Sequence, residues 1–248
     1  MIYAKAFFDL QVAFAQTVTA LSRLPLSRVL LDYTNLYRRF GLGRDFDATH
    51  PVWLDYLSGL RAATDVGDWT YGFYVARGGE PPGPPVVATF GCFSYARLGE
   101  GRIRLHFKNV EAGVSALGRQ HSGRRMAELA ALFEHVSRTV RQSVRVVGAS
   151  WLYNVEAYRR LFPASYLATA RVMTGRFRHM PLWGQFLDRH GAVKERMSRP
   201  FLERLARQSA MGDLDRCFPL PVLSLEASVQ HFYDLYDIST AISVSRPV

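Results

Sequence analysis

Cysteine is scarce: Cys92 and Cys217 are the only two in 248 residues. Two cysteines build neither a disulfide framework nor a thiolate metal site. Cys92 lies in an apolar stretch, so an inert buried thiol and a reducing, cytoplasmic compartment are expected. Lysine is scarce too, with only Lys5, Lys108 and Lys194. Long apolar runs are missing; none approaches the roughly 18–20 residues that cross a bilayer, so no membrane span is expected. The opening MIYAKAFFDLQVAFAQ is interrupted by Asp9 and Gln11. It reads as an amphipathic helix and not as a signal peptide. Several catalytic signatures are absent: the Gly-x-Ser-x-Gly elbow, a complete P-loop and His-Glu-x-x-His. Gly41-Leu42-Gly43 lacks the strand-and-helix context of a dinucleotide fold, and the seven histidines show no metal-like spacing.

What is present is a globular composition, 48% apolar and 21% charged. Net charge is +10, carried mostly by arginine in small groups: Arg38-Arg39, Arg124-Arg125 and Arg159-Arg160. Arginine suits bidentate recognition of phosphate and carboxylate. An arginine-rich, lysine-poor, alanine- and valine-rich composition is also what a GC-rich coding sequence gives. Nucleic-acid binders usually carry a denser basic stripe.

Apolar spacing predicts helices over the first quarter of the chain. Phe7, Leu10, Phe14, Val18 and Leu21 mark the first, ended by Pro25. Ser27 is placed to cap a second, which buries Leu30, Tyr33, Tyr37 and Phe40 and stops at Gly41. Thr49 or His50, followed by Pro51, opens a third. Residues 68–76 are aromatic and β-branched and predict a strand; residues 86–96 predict another. Residues 102–109 alternate, with Ile103, Leu105 and Phe107 against Arg102, Arg104, His106 and Lys108. Short loops between these three predict an antiparallel meander. An amphipathic helix follows through Met126, Leu129, Leu132, Phe133 and Val136. Residues 144–150 form a continuous apolar run, expected to be a strand covered on both faces and parallel to 102–109. A short helix at 155–162, a strand within 165–173, helices at 180–191 and 199–208, a strand at 221–226 and a helix at 228–238 complete the reading.

The order β-β-β-α-β-α-(β) from about 68 to 175 resembles the core of the GNAT acyltransferase superfamily. Gln120-His121-Ser122-Gly123-Arg124-Arg125 resembles the family's Arg/Gln-x-x-Gly-x-Gly/Ala loop. Asn154-Val155-Glu156-Ala157, after the strand and Trp151-Leu152-Tyr153, resembles its Asn-x-x-Ala segment. The fold class so implied is α/β (α+β): a GNAT-like mixed sheet with an antiparallel meander, a helical N-terminal segment and a mainly helical C-terminal extension. Its boundaries are 1–66, 67–178 for the core, 179–238 for the extension packed on it, and 239–248 for a tail.

The resemblance implies acyl-CoA as co-substrate, no metal, and a small-molecule or aminoacyl amine as acceptor. Gln120, Ser122, Gly123, Arg124 and Arg125 would hold the coenzyme A pyrophosphate at a helix start, where free N–H groups and the dipole attract anions. Asn154 would line the pantetheine arm, between two strands that splay apart, with Trp151 and Tyr153 as its walls. His106 is the candidate base, on the polar side of its strand and titrating near neutrality. Glu156 and Glu128 are further candidate bases. Tyr158 is the phenol nearest to position 161, where the family often carries the tyrosine that protonates the leaving thiolate. Two alternatives stay open: a non-catalytic module on the same scaffold, and an arginine-based binder of nucleic acid or other anions.

Overall fold

The structure is a computed structural model that describes residues 2–77, 85–99, 101–111, 114–140 and 143–239. Five helices come first: α1 (Lys5–Ser22), α2 (Leu26–Tyr33), α3 (Leu36–Arg39), α4 (Pro51–Ala62) and α5 (Val66–Arg77). Three strands follow, β1 (Ala88–Phe90), β2 (Phe93–Leu98) and β3 (Arg102–Phe107), then α6 (Ser122–Thr139) and β4 (Arg145–Ser150). After these come α7 (Glu156–Arg159), α8 (Ala164–Leu167), β5 (Arg171–Val172), α9 (Glu195–Leu205), β6 (Leu223–Ser228) and α10 (Gln230–Leu235).

Contacts divide the chain differently from the linear boundaries expected above. Residues 1–83 and 173–222 make one compact unit, mostly helical; residues 84–172 and 223–248 make the other, which holds the sheet. The extension is thus shared out: α9 belongs to the helical unit, whereas β6 and α10 belong to the sheet unit. Of the breaker-rich loop at 77–85, residues 78–84 lie outside the described residues, as does the tail from 240.

In the helical unit, α1 is buried through Phe7, Phe8, Phe14 and Val18. Phe14 sits in an aromatic cluster with His179, Trp183, Phe201 and Phe218. Residues 68–76, expected as a strand, are helical. Asp65 caps this helix, its Oδ1 accepting the Asp68 N–H at 2.7 Å, and Thr70, Phe73 and Tyr74 share one buried face at helical spacing. Gly59 lets α4 and α5 meet closely: a Cβ there would stand 2.0 Å from Cζ2 of Trp69. The Trp69 indole donates to the Tyr56 carbonyl at 3.0 Å. His50 does cap α4, its ring accepting the Val52 N–H. Ser27 caps nothing; α2 starts at Leu26 behind Pro25. The expected second helix is interrupted at Thr34-Asn35, where Gln11 accepts the Asn35 N–H at 2.8 Å.

In the sheet unit the strand order is β1-β2-β3-β4-β6-β5, a mixed sheet. The meander exists, but its first two strands both come from the run expected as one strand over 86–96. Gly91, at φ 56°, folds that run into a hairpin. Glycine is required twice over here, because a Cβ would stand 2.0 Å from Oε1 of Glu128. β3 and β4 run parallel as expected, with Arg102, Ile103 and Arg104 opposite Arg145, Val146 and Val147. One face of β4 is buried at Val146 and Gly148, while Arg145 and Ala149 on the other are exposed, so the double cover expected for this strand is absent. Residues 165–173 give a helical turn, α8, and then only two strand residues. The segment 180–191 is a 3-10 helix at Met180–Phe186 rather than an α-helix. The sheet's core face packs Ile103, Leu105, Val146, Leu225 and Ala227 with Leu129, Leu132 and Phe133 of α6.

Candidate functional site

The loop before α6 becomes a 3-10 turn at Arg119–His121 that runs straight into the helix. Its donors are partly used: His121 N–H bonds the Gly118 carbonyl at 3.0 Å, and Ser122 N–H bonds that of Arg119. Gln120 and Gly123 are exposed and Ser122 is half-buried. A Cβ on Gly123 would meet nothing within 4 Å, so the packing of this chain does not require glycine there.

The two arginines of this loop diverge. Arg124 is exposed and reaches Glu111 at 3.0 Å and Glu128 at 3.4 Å. Arg125 is buried, 1% exposed, with Nη2 at 2.8 Å from Glu111 and 2.7 Å from Glu128; Nη1 donates to Cys92 Sγ. Its expected role as a phosphate ligand is therefore corrected. Two carboxylates and a thiol draw its guanidinium inward, because a buried cation needs counter-charge. Glu128 also accepts the Cys92 N–H at 3.0 Å, tying α6 to the β1–β2 turn. Glu111 is held below the ordinary carboxylate range, chiefly by the hydrogen bond from Arg125. Cys92, Glu111 and Glu128 come within 4.8 Å of one another, as metal ligands would, but the cation among them is the Arg125 guanidinium.

The junction after β4 is built by local bonds. Ser150 Oγ accepts the Leu152 N–H at 3.1 Å, ending the strand and starting a 3-10 turn over Trp151–Asn154. Asn154 Nδ2 donates back to the Trp151 carbonyl at 2.9 Å. Both Trp151 and Asn154 are half-buried. Tyr153 points into the core, its hydroxyl 2.9 Å from that of Tyr166. Gly148 makes room for this pair, since a Cβ would stand 2.1 and 2.3 Å from the two hydroxyls.

Tyr158 joins that cluster edge-on, its ring centroid 5.2 Å from that of Tyr153. It is 3% exposed, against the rings of Tyr153, Phe107 and Phe162. Burial pushes its phenol well above the ordinary range. Its expected role as the acid is corrected: a phenol in an apolar core holds its proton too tightly and touches no solvent. His106 lies opposite Ser94 on β3 and is half-buried. Alternation puts it on the sheet face opposite to Phe107, and so opposite to Tyr158. Glu156 is exposed in the first turn of α7. Tyr158 is thus buried, His106 half-buried and Glu156 exposed, three different environments.

One feature escaped sequence reasoning in its detail. β3 and β4 pair over only three positions, ending at Arg104 opposite Val147. β3 continues to Phe107, held by β2, and β4 continues to Ser150, held by β6. Beyond the last shared rung the two edges face each other without a ladder. No signal in the two strand sequences marks where pairing stops. Searches against protein-family models, curated proteins and solved structures give no match for this chain.

Proposed function

We propose that this protein is an acyl-CoA-dependent N-acyltransferase of GNAT-like architecture. The observation that carries the reading is the opening between β3 and β4. A strand held on one side leaves alternate backbone N–H and C=O groups pointing to the other. Two such edges, at residues 105–107 and 148–150, offer polar partners to the amides of a pantetheine arm inserted between them. Trp151 and Asn154 stand at the end of β4, where they would line the arm.

In this reading the acceptor amine attacks the thioester carbonyl directly. The C–N bond forms, the C–S bond breaks, and coenzyme A leaves as its thiolate. N–H groups of the Val146–Ser150 segment polarise the carbonyl as charge develops on its oxygen. His106, directly or through one water, accepts the amine proton. Gln120, Ser122 and Gly123 hold the pyrophosphate at the start of α6, with Arg124 adding charge at the rim.

A non-catalytic module that holds coenzyme A is the second reading, favoured by the burial of Tyr158 and the internal pairing of Arg125. Calorimetry with coenzyme A and turnover of acetyl-CoA with amine acceptors distinguish the two. The enzyme reading expects binding, turnover, and a loss of about 10²–10⁴-fold in rate for His106→Gln with coenzyme A affinity retained. Binding without turnover selects the module. Absence of binding by wild type, or a Gly123→Val variant that binds as tightly as wild type, overturns both.

A further inference from the structure

The Arg38-Arg39 pair of α3 plays no part in the acyl-transfer reading. Both guanidiniums lie half-buried in the helical unit. Arg39 stacks on the Tyr3 ring, its Cζ 4.3 Å from the centroid, and Nη1 donates to the Tyr3 hydroxyl at 2.7 Å. Nε of Arg38 and Nε of Arg39 are both buried donors with no acceptor. Among the described residues Arg38 forms no ion pair. The carboxylates nearest in sequence are committed elsewhere: Asp32 to Arg28 and Arg176, Asp45 to the Tyr37 hydroxyl, Asp47 to Thr49. Arg44, in the loop that follows, adds a third positive charge within Coulombic reach of Arg38. Burial, with Arg44 and Arg39 nearby, pulls Arg38 down to about 10.

Removing a guanidinium from water without a counter-ion is costly, and adding like charges raises that cost. Chains that keep such a group usually use it, because the uncompensated charge is discharged only when an anion arrives. The geometry suits this. Arg39 is oriented by the Tyr3 ring, so little side-chain freedom remains to be lost on binding. Gly41, at φ 78°, turns the chain directly after α3.

We propose that Arg38 and Arg39 form a binding site for a phosphoryl group in the helical unit. A phosphoryl dianion suits two neighbouring arginines better than a carboxylate does, because it brings two charges and three acceptor oxygens.

The test is calorimetry and thermal unfolding with inorganic phosphate, pyrophosphate and acetate at matched ionic strength. Wild type should bind phosphate and pyrophosphate, and acetate at least tenfold more weakly. Arg38→Met should reduce phosphate affinity at least tenfold, and in chloride alone it should unfold at the same or a higher temperature than wild type. A merely structural arginine would lower it. Arg38→Lys should lose less affinity than Arg38→Met, and it serves as the measurement if the Met variant does not fold. Gly123→Val, which alters only the start of α6, should leave the Arg38-dependent component of phosphate binding intact whether or not coenzyme A binds. Absence of phosphate binding by wild type, equal affinity for acetate, or phosphate binding lost in Gly123→Val but kept in Arg38→Met each overturns the proposal.

Discussion

The helical unit and the sheet unit each carry an Arg-Arg pair, and the two pairs meet opposite fates. In the sheet unit, Glu111 and Glu128 engage both Arg124 and Arg125, so two cations face two carboxylates. In the helical unit, Arg39 leans on an aromatic ring and a phenol, and Arg38 has no carboxylate among the described residues. The same dipeptide is thus a structural clamp in one place and a candidate ligand site in the other. The difference lies in what the fold brings alongside. Glu128 is three residues from Arg125 on the same helix, whereas Glu111 arrives from the segment after β3. A buried arginine with counter-charge, such as Arg125, holds elements together; the half-buried Arg38 has none among the described residues.

Breaking the clamp gives the largest expected effect on stability. Arg125→Ala leaves Glu111 and Glu128 without their shared cation and opens a hole in the core, and should cost about 3–5 kcal/mol in urea unfolding. Adding Glu128→Gln to it should recover part of that loss. If Arg125→Ala unfolds no more easily than Arg38→Met, the contrast between the pairs collapses. The same clamp fixes an acid response. Glu111 is held below its ordinary 4.5, so its contribution is complete above that pH and is lost as pH falls through the depressed folded value.

A second test compares how tightly the helical unit is packed. Helix propensity alone makes Gly59→Ala stabilising by about 1 kcal/mol. The contact with Trp69 reverses the sign, and the variant should lose about 1–3 kcal/mol through overpacking. Gly59→Ala with Trp69→Leu should regain stability. A Gly59→Ala protein more stable than wild type would place Trp69 away from α4.

The smallest effect concerns His179, the helical unit's own buried titratable group. Its Nε2 lies 2.5 Å from Asp215 Oδ1, and its ring stacks on Tyr33. Burial depresses it below the usual 6.5, against the pull of Asp215 and with Arg178 adding to the depression. The unfolded chain therefore takes up a proton first. Stability is complete above about pH 6.5 and declines as pH falls through the folded value, by at most about 1.4 kcal/mol per pH unit for one proton. His179→Gln should flatten that decline between pH 6.5 and 5 in thermal unfolding. An unchanged slope would assign the acid response to the carboxylates of both units.

Local chemistry alone determined several features of this protein. The alternation from Arg102 to Phe107 specified a half-buried strand, and the helix between it and the run at 144–150 specified a parallel return. His50-Pro51 specified a helix start. The strand and helix-start signals are each complete within a few residues. Tertiary structure decided the rest. Residues 68–76 carry β-favouring side chains, yet they are helical, with Trp69 fitted against Gly59 and bonded to the Tyr56 carbonyl of the preceding helix. Tyr158 is a phenol at a promising position in sequence, and the core seals it beside Tyr153 and Phe107. The rung at which β3 and β4 part, and the carboxylates that close on Arg125 and not on Arg38, depend on segments far apart in the chain. Spacing within a segment carries propensity and periodicity; it carries no record of which charge or ring another segment will bring.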